Sequence, residues 1–184
     1  MNEGLISKRY AKALYFHAQN LGEETLLYHR MEILASLLHN IPALKESIKS
    51  PLISGKDKME LLGNATGKNA EQSYLDFIGL VVGNHRCDAL EMITLSYQMI
   101  YRKKKNISVV HLVSAKKLSG KALGRLRGIS ESETRGKVEF SNRIDPSIGG
   151  GFIFQLNDLR IDASVKGQLD RISRRLTQLN KSII

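Results

Sequence analysis

Arg102-Lys103-Lys104-Lys105-Asn106-Ile107-Ser108-Val109-Val110-His111-Leu112-Val113 is the stretch in which the periodicity of the chain changes. Before it, apolar residues recur every three or four positions, the spacing of one helix face. From Ile107 they alternate and are rich in β-branched types, the pattern of a half-buried strand. The change predicts a mainly α protein: an N-terminal six-helix bundle over residues 1–104, followed by a small C-terminal α/β domain over residues 105–184.

Upstream, six helical segments can be marked by their ends. The first runs from about Gly4 to Gln19 and stops at Asn20-Leu21-Gly22, where Asn and Gly suit a left-handed C-cap. Leu27, Met31, Leu34 and Leu38 draw one stripe on the second. Pro42 fits the first turn of the third, because its missing N–H has no helical partner there. Ser54-Gly55-Lys56-Asp57 reads as a capping sequence that opens the fourth, and Asn69-Ala70-Glu71-Gln72 as one that opens a fifth ending near Gly83-Asn84. The sixth spans Asp88 to about Lys104, with Leu90, Ile93, Tyr97 and Ile100 on one face and a basic last turn that complements the helix dipole. Short connections between such helices make a bundle.

Downstream, Val138-Glu139-Phe140 is a second strand candidate, and Ser119 can cap a helix reaching about Gly128. Phe152 to Leu156 and Leu159 to Ile161 flank Asn157-Asp158, residues that tolerate the positive φ of a hairpin turn. A last helix, N-capped by Asp162, carries apolar positions Ile161, Val165, Leu169, Ile172, Leu176 and Leu179, a face expected to pack on the sheet.

The 184 residues are 42% hydrophobic and 25% charged, enough for a core and unlike a disordered chain. The longest apolar runs fall far short of the roughly 20 residues of a membrane helix, and Met1-Asn2-Glu3-Gly4 has neither a secretory n-region nor an organelle leader. The expectation is a protein that works in the cytosol without inserting into a membrane. The lone Cys87 excludes intrachain disulfides and thiolate metal cages and reads as a packing residue.

Net charge is +10, and between Arg102 and Arg127 stand nine Lys or Arg and no acid. Such a field favours an acidic partner. A nucleic-acid adaptor is the alternative, but no aromatic platform interleaves the basic stretch and the chain has no Trp, so no specific nucleic acid is expected.

Catalytic signals fail one by one. Gly63-Asn64-Ala65-Thr66-Gly67-Lys68-Asn69 is a residue short of a phosphate loop, lacks Ser or Thr after Lys68, and follows a helix. Gly149-Gly150-Gly151 leads into a strand, so it reads as close packing or a bulge. The five histidines have no metal-ligand spacing. No catalytic residue, metal ligand or cofactor is expected.

The first and fifth helices carry more apolar surface than one packed face requires. At about 100° per residue, Ile6, Tyr10, Ala13, Leu14, Ala18 and Leu21 cover an arc of roughly 160°. Leu75, Phe77, Ile78, Leu80, Val81 and Val82 occupy more than half of the fifth. Either both are buried in the bundle centre, or, with small Ala11, Ala13 and Gly79 nearby, they leave a groove for a partner's amphipathic helix.

Arg9-Tyr10-Ala11-Lys12-Ala13-Leu14, Ser50-Pro51-Leu52-Ile53 and Asn84-His85-Arg86 resemble segments of the ATP synthase δ (oligomycin-sensitivity-conferring) subunit family, as does Val113-Ser114-Ala115 with Leu118-Ser119. Most specific are Ile144-Asp145-Pro146-Ser147-Ile148-Gly149-Gly150-Gly151-Phe152 and Ile161-Asp162-Ala163-Ser164-Val165-Lys166-Gly167-Gln168-Leu169, which are similar to the family signature; Lys166 stands for the usual Arg and His85 for Gly. Architectural roles are read for Asp145, Pro146, Gly149, Gly150, Asp162, Ser164 and Gly167: a turn, close approach, and a helix cap.

The resemblance implies a non-catalytic stator subunit, held peripherally at the cytoplasmic face of the membrane, that links b-type stalk subunits to the α subunits of a bacterial-type F-type ATP synthase. It implies a groove for the α N-terminal helix at Ile6, Tyr10, Ala13, Leu14, Tyr74, Phe77, Leu80 and Val81, and a stalk contact at Lys166, Arg171, Arg174 and Arg175.

Overall fold

The computed structural model describes residues 3–67, 70–134, 136–157 and 159–181, with side chains described within residues 4–176. The chain is mainly helical with one small four-stranded sheet, and it divides into two compact units, Met1–Lys105 and Asn106–Ile184.

The first unit holds helices α1 (Glu3–Leu21), α2 (Glu24–Asn40), α3 (Pro42–Lys49), α4 (Gly55–Ala65), α5 (Gln72–Gly83) and α6 (Leu90–Lys104). Gly22, at φ +72°, ends α1 as the sequence predicts: its N–H donates to the Gln19 carbonyl (3.2 Å) and that of Glu23 to Ala18 (2.9 Å), the paired bonds of a Schellman cap. The Ser54 hydroxyl accepts from the Asp57 N–H, the cap expected for α4.

Leu27, Met31, Leu34 and Leu38 of α2 are buried, as are Leu90, Ile93 and Tyr97 of α6 and Ala11, Leu14 and Ala18 of α1, and α6 packs against both of the other helices. Tyr28 and Tyr101 stack at 4.2 Å, while the Tyr97 hydroxyl donates to the Glu24 carbonyl. Burial raises the Tyr97 phenol and pushes that of Tyr74 up to about 12, so both stay neutral donors.

Two starts differ from the sequence reading. A 3₁₀ turn over Cys87–Ala89 precedes α6, which begins at Leu90. Helix α5 begins at Gln72 with Glu71 at its N-cap; Asn69, offered as the cap residue, lies outside the described residues. Arg30 ties the residue before this start to the end of α4. Its guanidinium donates to the Thr66 carbonyl (3.1 Å) and through Nε and NH2 to both oxygens of Glu71.

The second unit orders its strands β2-β1-β3-β4, namely β1 (Ile107–Ser114), β2 (Lys137–Ile144), β3 (Phe152–Leu156) and β4 (Leu159–Asp162). Helix α7 (Gly120–Thr134) is the crossover that lets β2 run parallel to β1, from Ile107 opposite Lys137 to Ser114 opposite Ile144. The core is Val110, Leu112 and Phe154, with Leu118, Leu123, Leu126 and Phe140 packed on it.

Helix α7 outruns the expected end at Gly128 into a polar tail, where the Ser130 and Thr134 hydroxyls donate to the Leu126 and Ser130 carbonyls one turn back instead of leading the chain out of the helix. Strand β2 outruns Val138–Phe140, since β1 supplies a backbone partner along the whole of Ser141-Asn142-Arg143. The turn at Asn157 has the expected positive φ (50°); Asp158 lies outside the described residues.

Helix α8 (Val165–Lys181) differs most. Its cap is Ser164, whose hydroxyl accepts from the Gly167 N–H (3.0 Å); Asp162 ends β4 and instead accepts from the Ser164 N–H and hydroxyl. Ile161 therefore belongs to a strand, and the Leu179 side chain lies outside those described. Val165, Leu169, Ile172 and Leu176 do not pack on the sheet: all four are exposed, Leu169 at 61%.

The glycines of the signature make the junction possible. Gly151 has φ +73°, and a Cβ there would lie 2.2 Å from the Ala163 carbonyl oxygen, a backbone atom that cannot swing away. Gly151→Ala is expected to destabilise the second unit by about 3 kcal/mol or more, the left-handed conformation contributing 1–2 of it. Urea unfolding followed by a probe in the second unit measures this; a midpoint unchanged from wild type would refute it.

Candidate partner-binding surfaces

Helix α1 has two apolar faces. Ala11, Leu14, Tyr15 and Ala18 turn inward and fix the helix to the unit. Ile6, Tyr10, Ala13 and the edge of Leu14 line a trough whose other wall is α5, through Phe77 and the half-exposed Leu80. The trough has a volume of about 710 Å³, and Arg9, His17, Asp76 and Arg86 line it too. The Asn84 amide donates to the Tyr10 hydroxyl (3.2 Å), tying the end of α5 to α1 beside it.

Six of the eight residues assigned to a groove from sequence thus come together. Tyr74 and Val81 do not: both are fully buried, and the Tyr74 hydroxyl donates to the Leu62 carbonyl (2.9 Å) in the interior. Of the three small residues, only Ala13 lines the trough, because Ala11 is in the core and Gly79 faces Met59 of α4. Sequence reasoning missed the charged residues of the rim, which a polar–apolar count discards as solvated surface.

It also missed Arg30, which aims α5. The side chain is 10% exposed, its guanidinium lies 5.5 Å from the Tyr74 ring centroid, and it grips the turn from which α5 starts. Burial works to raise the Glu71 carboxyl, but the hydrogen bonds and charge of Arg30 outweigh it and hold the group below its ordinary 4.5. A readable signal was present: Arg30 stands three residues after Leu27 and four before Leu34, on the apolar stripe.

The basic run divides by use. Lys105 pairs with Glu24 (2.8 Å) and Arg102 lies 3.6 Å from Glu32 and over the Tyr28 ring. Lys103 and Lys104 border a smaller depression with Lys12, Phe16 and Ile100. Half of the run is therefore neutralised within its own unit, which weakens the case for a continuous phosphate track.

In the second unit, the exposed apolar stripe of α8 runs beside exposed Lys166, Arg174 and Arg175. Arg171 is partly committed, donating to the carbonyls of Asp162 (2.6 Å) and Gly167 (3.0 Å). The signature residues sit at the root of this helix. Asp145 accepts from the Ser147 N–H and hydroxyl beside Pro146, Gly149 takes φ +76°, and Gly150 would set a Cβ 3.0 Å from Val165. A Cβ at Gly167 would strike the Asp162 carboxylate at 2.6 Å. Hydrogen bonds from Ser147 and Ser164 respectively are the leading cause holding the Asp145 and Asp162 carboxyls below their ordinary values.

Among the described residues, no group of three or more His, Cys, Asp or Glu could hold a metal ion, and no helix is long and apolar enough to cross a membrane. Cys87 is buried and its thiol is pushed up, away from nucleophilic use.

Known proteins resemble this chain in sequence and in fold. A family model described as the ATP synthase delta (OSCP) subunit matches residues 6–176. ATP synthase subunit delta of Bacteroides thetaiotaomicron is 38% identical over 186 residues, covering all of both chains, and that of Phocaeicola vulgatus is 35% identical over 98% of each. In fold, the chain matches one from the cryo-EM structure of the Toxoplasma gondii mitochondrial ATP synthase hexamer, with a TM-score of 0.71 and 21% identity, over 96% of this chain and 98% of that one.

Proposed function

The chain belongs to the ATP synthase delta (OSCP) subunit family, and from that premise we propose that its two units hold the two ends of one stator connection. The protein is a structural, non-catalytic subunit with a peripheral-stalk role in F-type ATP synthase. In our reading, residues 1–104 are a six-helix bundle that grips the N-terminal helix of an α subunit of the catalytic head, and residues 105–184 meet the b-type stalk helices. The complex then holds the subunit peripherally at the cytoplasmic face of the membrane.

The observation that supports this most is the open apolar trough between α1 and α5. Other residues of both helices face the interior, so Ile6, Ala13 and Leu80 form a second face that no element covers among the described residues, an apolar surface of the kind that an amphipathic helix occupies. Exposure of Leu169 and Ile172 supports the second contact in the same way. A stator resists torque, and two apolar seats on separate units transmit load without any chemical step.

Co-sedimentation with the isolated catalytic head and with a soluble stalk dimer tests the two contacts separately. Leu169→Asp with Ile172→Asp is expected to lose the stalk by roughly 100-fold while keeping the head, because unpaired carboxylates would be desolvated at the contact. Both positions are more than half exposed, so the melting temperature should hold. Normal stalk binding by this variant would remove α8 from that contact.

A further inference from the structure

The rim and floor of the α1–α5 trough carry polar groups that the fold itself does not use. Arg9, Arg86 and Asp76 line it, yet among the described residues the ion pairs involve other side chains, and Asp76 only accepts from the exposed Gln72 amide (2.7 Å). Elsewhere the first unit pairs charges readily, as with Lys45 and Glu91 or Lys105 and Glu24.

Ser73 lines the same trough, is fully buried, and its Oγ has no hydrogen-bond partner among the described residues. A buried hydroxyl left unmatched costs free energy, and native proteins keep few of them without a use. Two cations, one acid and one orphan hydroxyl around a single apolar trough form a recognition pattern.

We propose that the trough reads its occupant by charge and by one buried hydrogen bond: the bound amphipathic helix carries carboxylates beside its apolar stripe that meet Arg9 and Arg86, and a polar group that meets the Ser73 hydroxyl. The proposal rests on the reading that an α N-terminal helix occupies the trough. Guanidinium forks match carboxylates in two bonds and are weakly hydrated, so they suit the edge of a contact that excludes water. With two arginines against Asp76 alone, the complementary helix is net acidic. Asp76 disfavours the same helix in the reverse orientation, which would bring its carboxylates toward a like charge.

Isothermal titration of the full-length protein with two peptides tests this. One peptide is the N-terminal helix of the organism's own α subunit, and the other has its Asp and Glu replaced by Asn and Gln. Wild type should bind the acidic peptide at least tenfold tighter, with affinity falling as salt rises. Arg9→Gln with Arg86→Gln should bring the two peptides to parity at unchanged melting temperature. Ser73→Ala should weaken both peptides about fivefold while the free protein melts at the same temperature or higher, because an orphan is removed.

Equal wild-type affinity for the two peptides, or an α helix without flanking carboxylates, overturns the charge reading alone. Unchanged binding by Ser73→Ala removes the hydroxyl from recognition and shows it to be structural only. Failure of both peptides to bind wild type overturns the occupant itself, and with it this proposal.

Discussion

Leu80→Asp is expected to abolish binding of an α N-terminal peptide to the full-length protein while leaving its helical content and melting temperature at wild-type values. Leu80 is 54% exposed, so the free fold loses little when its side chain is replaced. In the complex the new carboxylate would be desolvated one helical turn from Asp76, which adds like-charge repulsion. Together these cost about 3 kcal/mol or more, a weakening of roughly 100-fold. Ala13→Asp should act in the same direction with a smaller effect, because Arg9 stands one turn away and can partly neutralise it. Fluorescence anisotropy with a labelled peptide reads both. Binding by Leu80→Asp within threefold of wild type would move the contact away from α5.

Arg30→Ala should lower the stability of the first unit by about 3–5 kcal/mol, the usual cost of leaving half of a buried ion pair. Four consequences coincide: the carboxylate of Glu71 is stranded, the Thr66 and Gly67 carbonyls lose their donor, the Tyr74 ring loses a cation, and the start of α5 is freed. Arg30→Lys should recover only a minor part, since one ammonium cannot reproduce the fork.

The pH dependence carries the sign of the pair. In wild type the Glu71 carboxyl is held below 4.5, so its contribution is present above the unfolded pKa and is lost as pH falls through the folded value. In Arg30→Ala burial, the largest influence on this carboxyl, is opposed only by the backbone hydrogen bond at Glu71 and would raise that pKa, so the stranded charge is relieved by protonation. The difference between the two proteins should therefore be widest near neutral pH and narrow below about pH 4.5. Urea titrations at several pH values measure it, and a gap that stays constant down to pH 3 would show that Glu71 is not the group involved. Because α5 forms one wall of the trough, the same variant should also bind the α peptide less tightly.

Local order was legible in the residues wherever a signal acts within one or two turns. The stripe Leu27-Met31-Leu34-Leu38, the Gly22 cap, the Ser54 cap and the change of period at Ile107 each depend on neighbours a few positions away, and each stands in the structure where those residues place it. Half of β2 was not legible. Ser141-Asn142-Arg143 has no strand signal of its own and becomes strand because β1 offers parallel backbone partners to it.

The site followed the same division. That α1 and α5 have apolar surface to spare is a property of their sequences, but which residues spend it inward is decided by packing. Tyr74 and Val81 share the composition of Phe77 and Leu80 and yet face the interior, because a helix wheel gives angles without saying where the neighbouring helices lie. Asp162 and Ser164 are equally good cap residues two positions apart; β4 pairs as far as Asp162 and so leaves Ser164 to begin α8. The periodicity of α8 was readable from Val165 to Leu176, whereas the sheet's own core of Val110, Leu112 and Phe154, covered by α7, left that stripe facing outward. Sequence determines how much apolar surface a helix owns and where it starts and stops, because these are local free energies. Which part remains open to a partner is decided only when long-range contacts have taken their share.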